Sequence, residues 1–260
     1  MDTLKVLLVQ AQLGWKDPAH NRDHLESLLS GRAGDCDLAV LPEAFATGFL
    51  GDTDLPDEGM SGPTVDWMRR QAAQHGCALT GSAVIVEDTR RFNRMLFVTP
   101  DGAVSHYDKR HLFAYGGEHR RYSAGNRRVI VNYAGWRIDL QVCYDLRFPA
   151  WCRNRDDYDL MLMVANWPSR RVEHWSALLK ARAIENQSWV VGVNRVGEDG
   201  NGIAYPGRSV VHDPLGACLA DLGDSESCRL VELDLGEVDR VRREFPFQAD
   251  ADRFVIEGID

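Results

Sequence analysis

No apolar run in this 260-residue chain approaches the ~20 residues that a membrane-spanning helix requires. The N-terminal stretch MDTLKVLLVQAQ has no basic flank and no small-residue cleavage site, so the expectation is a cytoplasmic protein with no membrane partner. No Pro/Ser-rich linker, solenoid-length repeat or low-complexity tract divides the sequence, and residues 1–260 read as a single domain. The six cysteines, at 36, 77, 143, 152, 218 and 228, show no paired metal-type spacing and read as reduced thiols. There is no GxxxxGK[ST] phosphate loop, no HExxH, and no glycine fingerprint after the first strand; no metal or other cofactor is expected. Basic charge is also in short supply, with 30 Lys and Arg against 39 Asp and Glu and a net charge of −9, so a nucleic-acid partner would need a local basic patch. The one concentration of positive charge, Lys109, Arg110, Arg120, Arg121, Arg127 and Arg128, reads as a solvated loop face, and no nucleic-acid partner is expected.

What is present is an ordinary globular composition, 44% apolar and 27% charged. At 29.2 kDa such a chain buries roughly 31,000 of about 42,000 Å² on folding, a core large enough to need no disulfides. Strand-like and helix-like runs alternate throughout. KVLLVQ (5–10), DLAVLPE (37–43), CALTGSAVIVE (77–87), NRMLFVT (93–99), WRIDLQVC (136–143), YDLMLMVANW and SWVVGVN (188–194) read as strands. NRDHLESLLS (21–30) and VEHWSALLKARAIENQ read as helices, and a third is bracketed by Pro63 and Gly76, with Val65, Met68 and Ala72 on one face. PDG at 100–102 and Ala134-Gly135 are tight-turn signals that close hairpins. Helices interspersed with several hairpins predict mixed sheets covered by helices, an α/β fold.

Three strand ends carry reactive side chains: Glu43 after LAVLP, Lys109 after VSHYD and Cys143 after IDLQV. In α/β sheets sites gather beyond the carboxyl ends of strands. A thiol, a carboxylate and an ammonium are the parts that acyl transfer needs. An ordinary thiol is only a few per cent thiolate at neutral pH and requires a base; Glu43 can serve. The oxyanion formed by attack on a carbonyl needs donors, and Lys109 and the backbone N–H of Tyr144 can supply them. Residue type and spacing alone leave structural roles open for all three: a buried thiol, a capping or ion-paired carboxylate, a surface lysine.

LPEAF, YDKRHLF and CYDLRFP resemble the three signature segments of the nitrilase, or carbon–nitrogen hydrolase, superfamily, in the same order and with 66 residues from Glu43 to Lys109 and 34 more to Cys143. NWPSRRVEHWSALLKARAIENQ and GRSVVHDPLGACLAD extend the resemblance over nearly the whole chain, and EHRRYSAGN together with VCYDLRFP is most similar to the bacterial omega-amidase branch. The resemblance implies a four-layer α-β-β-α sandwich pairing into a homodimer or higher homo-oligomer. It implies a Glu43–Lys109–Cys143 triad and a second glutamate, Glu118, holding the lysine and the substrate in place. It also implies hydrolysis of a small-molecule amide, such as 2-oxoglutaramate, to acid and ammonia through a thioester. A nitrile or N-carbamoyl substrate, or a non-catalytic ligand-binding protein on the same fold, are the alternatives.

Asn166 and Trp167, following LMLMVA, are expected to line the pocket. Arg147 has two readings, binding a substrate carboxylate or pairing with a carboxylate of the protein and bracing the turn after Cys143; the second is expected, because buried arginines need partners. His174 and Trp175 read as structural, and GEDGNG as a turn.

Overall fold

The computed structural model describes residues 2–51 and 58–258. Along the chain, β1 (Thr3–Gln10) leads to α1 (Pro18–Leu29), β2 (Leu38–Val40), α2 (Pro63–His75), β3 (Ala78–Glu87), β4 (Arg90–Val98) and β5 (Val104–Asp108). The second half lays down β6 (Ile130–Tyr133), β7 (Trp136–Val142), α3 (Pro149–Cys152), β8 (Leu160–Ala165), α4 (Val172–Asn186) and β9 (Trp189–Asn194). It continues with β10 (Val196–Glu198), β11 (Ala204–Pro206), β12 (Val210–His212), β13 (Cys218–Asp221), β14 (Ser227–Asp234) and α5 (Leu235–Glu244).

Two six-stranded sheets result, ordered β14-β1-β2-β3-β4-β5 and β13-β12-β9-β8-β7-β6. Each is mixed in the same way: β1, β2 and β3 run parallel, as do β7, β8 and β9, and antiparallel strands flank both sets. The period-2 alternation of β1 decides the layering. Leu4, Val6 and Leu8 join the core shared with Ile138, Leu140 and Val142 of β7, between the sheets. Leu7 and Val9 face the other way, into a second core with Leu25 and Leu29 of α1 and Val65, Met68 and Ala72 of α2. On the far side of the second sheet α4 presses so closely that a Cβ on Gly192 would lie 2.5 Å from Leu179. The arrangement is the α-β-β-α sandwich, and its exposed surface is 11221 Å², close to what the area scaling predicts for this mass.

Some element boundaries differ from the sequence reading. The first helix begins earlier, because Asp17 accepts a hydrogen bond from the His20 N–H and Pro18 occupies the first turn. The fourth strand starts at Arg90, since its pairing with β3 runs to the hairpin at Asp88-Thr89. The sixth strand spans only Ile130–Tyr133, the residues that pair with β7. The basic run does not form one solvated face. Lys109 is buried, Arg128 bonds Asp157 at 2.8 Å, and Arg110 donates to the Gly125 carbonyl and lies over Trp151. Among the described residues no helix is long and apolar enough to cross a membrane.

Candidate active site

Glu43, Lys109 and Cys143 come from different strand ends and from both sheets. Glu43 sits three residues past β2, in a turn held by Ala44 and Phe45 N–H groups donating to Ser82 of β3. The close approach requires Gly81, where a Cβ would lie 2.8 Å from that of Leu41. Lys109 follows β5 directly, and its own N–H donates to the Asn93 carbonyl. Cys143 ends β7 and opens a short 3-10 turn, Cys143–Arg147. Its φ of 48° lies in the left-handed region, which L-residues avoid at a cost of about 1–2 kcal/mol; the sharp bend turns the thiol out of the strand into the cavity.

The three residues line one cavity. Lys109 Nζ lies 2.9 Å from Glu43 Oε1 and 3.0 Å from Glu118 Oε2. Glu43 Oε1 also accepts from Asn93 Nδ2 at 2.8 Å, and its Oε2 accepts from the Asn166 N–H at 2.7 Å. Glu118 accepts from the Phe113 N–H and, at 3.1 Å, from the same Asn93 amide. Cys143 lines the same cavity as Glu43 and Lys109, and the charges of both act on its thiol. Glu43, Lys109 and Glu118 are all at most 1% exposed.

Burial raises the Cys143 thiol well above its ordinary pKa, the charge of Glu43 adds to that, and Lys109 opposes it. The resting sulfur is therefore a neutral thiol. Burial works against the Lys109 ammonium, but the carboxylates of Glu118 and Glu43 outweigh it and hold the group charged, well above the usual lysine value.

A cavity of about 620 Å³ opens over the triad, lined by Tyr144, Asn166 and Trp167 among others. Asn166 Nδ2 additionally donates to the Glu43 carbonyl at 2.7 Å. Two expectations are corrected. GEDGNG is more than a turn: Asp199, Asn201 and Gly202 line the cavity, and Asp199 accepts from the Tyr205 hydroxyl at 2.9 Å, which folds the loop over it. Arg147 bonds no carboxylate among the described residues; its Nη2 meets His174 Nδ1 at 3.0 Å and its guanidinium lies over Trp167. The bracing of the turn falls instead to Asp145. Its Oδ2 accepts from Tyr107 Oη at 2.8 Å and from the Val142 N–H at 3.2 Å, while its Oδ1 accepts from the His111 N–H at 2.9 Å and meets His111 Nδ1 at 2.8 Å. Because Tyr107 and His111 flank Lys109, one buried carboxylate ties the thiol's turn to the lysine's segment.

The sequence reading missed Asn93, which touches both glutamates. Its signal was weak: β4 reads RRFNRMLFV, and Asn93 stands beside Arg94 in a strand that holds three arginines. No group of three or more potential ligands able to hold a metal occurs among the described residues.

The sequence matches the carbon–nitrogen hydrolase family over residues 5–243. It is 45% identical to omega-amidase YafV of Yersinia enterocolitica over 98% of this chain and 100% of that protein. It is 33% identical to 2-oxoglutaramate amidase of Bacillus subtilis over 92% and 93% of the two chains. The crystal structure of XC1258 from Xanthomonas campestris, a CN-hydrolase superfamily protein with an arsenic adduct in its active site, superposes with a TM-score of 0.96 at 48% identity, covering 98% of this chain and 100% of that one.

Proposed function

Because this chain belongs to the carbon–nitrogen hydrolase family, we propose that it hydrolyses the terminal amide of a 2-oxo dicarboxylic acid monoamide, such as 2-oxoglutaramate, with Cys143 as nucleophile. The observation that carries the reading is that Glu43 bonds the buried Lys109 ammonium at 2.9 Å while Cys143 lines the same cavity as both. The likeness to omega-amidase YafV and 2-oxoglutaramate amidase supports the substrate class.

In the proposed reaction the amide carbon lies over the sulfur, with its oxygen toward Lys109 Nζ and the Tyr144 N–H. The thiol proton passes to Glu43 as sulfur attacks the carbon. The negative charge that forms on oxygen is held by those two donors; loss of one such donor typically raises a barrier by about 2.7–4 kcal/mol. Glu43 then protonates the nitrogen, the C–N bond breaks, and ammonia leaves with the acyl group on sulfur. Water takes its place, Glu43 removes its proton, and attack on the thioester followed by C–S cleavage releases the acid and restores the thiol. Glu118 keeps Lys109 in position throughout. The pairing of Glu43 with a buried ammonium and with the Asn166 N–H fixes the carboxylate where one group can act as base, acid and base again.

A cytoplasmic location and a homodimer or higher homo-oligomer belong to the same proposal, and equilibrium sedimentation tests the assembly. The function is tested by ammonia release from 2-oxoglutaramate, glutaramate, a simple nitrile and an N-carbamoyl amine, using wild type and Cys143→Ala. Turnover of the two omega-amides by the wild type alone is expected. Equal rates from both proteins would overturn the nucleophile, and carbon dioxide released with ammonia would move the substrate to the carbamoyl class.

A further inference from the structure

The two carboxylate oxygens of Glu43 are unequally occupied. Oε1 accepts from Lys109 Nζ at 2.9 Å and from Asn93 Nδ2 at 2.8 Å. Oε2 accepts, among the described residues, only from the Asn166 N–H, at 2.7 Å. An ionised carboxylate has about two acceptor sites on each oxygen, so Oε1 is filled and Oε2 keeps one site open. The proton that leaves Cys143 therefore goes to Oε2: the S–H bond breaks toward that oxygen, and the electron pair left on sulfur forms the C–S bond. Where Oε2 stands is set by one backbone donor.

That donor is held from a single residue. Strands β8 and β9 pair in parallel up to Ala165 opposite Asn194. Past this point the Asn194 side chain takes over from the strand. Its Oδ1 accepts from the Trp167 N–H at 2.8 Å, and its Nδ2 donates to the Trp167 carbonyl at 3.0 Å. A side-chain amide carries the donor and acceptor of a peptide group, and here it does for Trp167 what a neighbouring strand would do. The other Nδ2 hydrogen goes to the Gly207 carbonyl at 2.8 Å. The amide cannot swivel without giving up a bond, and Asn194 is fully buried, where solvent offers no replacement. Ala165 is thus held by its pairing with Asn194, Trp167 by the Asn194 side chain, and Asn166 lies between them. Asn166 in turn bonds Glu43 twice, from its N–H to Oε2 and from its Nδ2 to the Glu43 carbonyl, both at 2.7 Å. Asn194 is not among the described residues that line the cavity, so it acts on the reaction only through what it holds.

We propose that Asn194 is a positioning residue for the proton-accepting oxygen of Glu43, acting through the backbone of residues 165–167. The inference rests on the amide-hydrolase reading for the role of Glu43 as base. The geometry it invokes is tested apart from turnover.

Steady-state kinetics with 2-oxoglutaramate are compared for wild type, Asn194→Ala and Ser209→Ala, and the crystal structure of Asn194→Ala is determined. The Ser209 hydroxyl bonds the main chain of Asn194, accepting from its N–H at 3.0 Å and donating to its carbonyl at 3.3 Å. Its loss weakens the same corner without freeing Trp167. Asn194→Ala lowers kcat by about 10- to 100-fold, the upper figure being that for a misplacement of about 1 Å, and leaves KM nearly unchanged. Ser209→Ala keeps the wild-type kcat even where its thermal midpoint falls as far. In the crystal structure of Asn194→Ala the contact between the Asn166 N–H and Glu43 Oε2 is lengthened. If Asn194→Ala fails to fold, Asn194→Ser, whose hydroxyl has one hydrogen where the amide has two, carries the same expectation. A lowered kcat with the 2.7 Å contact intact, or an equal loss of kcat in Ser209→Ala, overturns the proposal. Ammonia release by the wild type and by Asn194→Ala at the same rate would sink the positioning role and leave the amidase reading standing. A displaced Glu43 carboxylate in the variant, with no ammonia released from any amide by the wild type, would do the reverse.

Discussion

Lys109 Nζ lies 2.9 Å from Glu43 Oε1, with the lysine 1% and the glutamate 0% exposed. In such a dry setting neither charge is tolerable alone, and the pair is completed by Glu118, whose own charge Lys109 also offsets.

Replacing Lys109 by Met leaves two buried carboxylates facing each other. The expected cost is about 3–5 kcal/mol of stability, the range for removing one partner of a buried ion pair, together with loss of activity. Glu118→Gln preserves the shape and leaves Glu43 to balance the ammonium. It is expected to destabilise less but to lower kcat by about 100-fold through misplacement of Lys109. Urea midpoints and steady-state kinetics on the two variants check the order. A Glu118→Gln enzyme with wild-type kcat would show that Glu43 positions the lysine unaided.

Asn93 donates one amide group to both glutamates, at 2.8 Å and 3.1 Å. Asn93→Ala strips a buried donor from each, for an expected loss of about 1–3 kcal/mol. Asn93→Asp, nearly identical in size, adds a third carboxyl to the cluster and is expected to be worse than alanine. An aspartate variant as stable as wild type would show that the site draws in a proton or a cation to compensate.

Asp139 is fully buried, and desolvation raises its carboxyl from 3.8 to about 7 despite the nearby charge of Arg128. The folded value lies above the unfolded one, so its stabilising contribution is complete below pH about 4 and is lost as pH rises through about 7. Asp139→Asn can still accept from the Gln141 amide, which lies 3.0 Å from the carboxylate. Between these limits the wild type should lose ground to the variant by about 1.4 kcal/mol per pH unit. Urea unfolding of both proteins at pH 5 and pH 8 measures the gap, and a gap independent of pH would contradict the neutral buried acid.

Cys143 adopts φ 48°, where glycine is at ease and alanine is not. Cys143→Gly and Cys143→Ala are both expected to be inactive, with the glycine variant the more stable by about 1 kcal/mol. Thermal denaturation of the pair tests whether the elbow stores strain, and a more stable alanine variant would show that the turn suits a side chain.

The amino-acid sequence by itself determined the alternation of strands and helices, the hairpins at 100–102 and Ala134-Gly135, and the three strand ends bearing a carboxylate, an ammonium and a thiol. These are local matters, set by side-chain period, by turn chemistry and by residue type at the end of an apolar run. Tertiary structure decided the rest. Asp145 fastens the thiol's turn to Tyr107 and His111 from 34 to 38 residues away, Asn93 spans two glutamates, and Arg147 stacks on Trp167 instead of pairing with an acid. Each of these depends on two sheets packed face to face, bringing side chains remote in sequence within hydrogen-bonding reach. Residue spacing carries no record of which partner will stand across that gap, since a buried polar group is satisfied by whatever the fold places beside it.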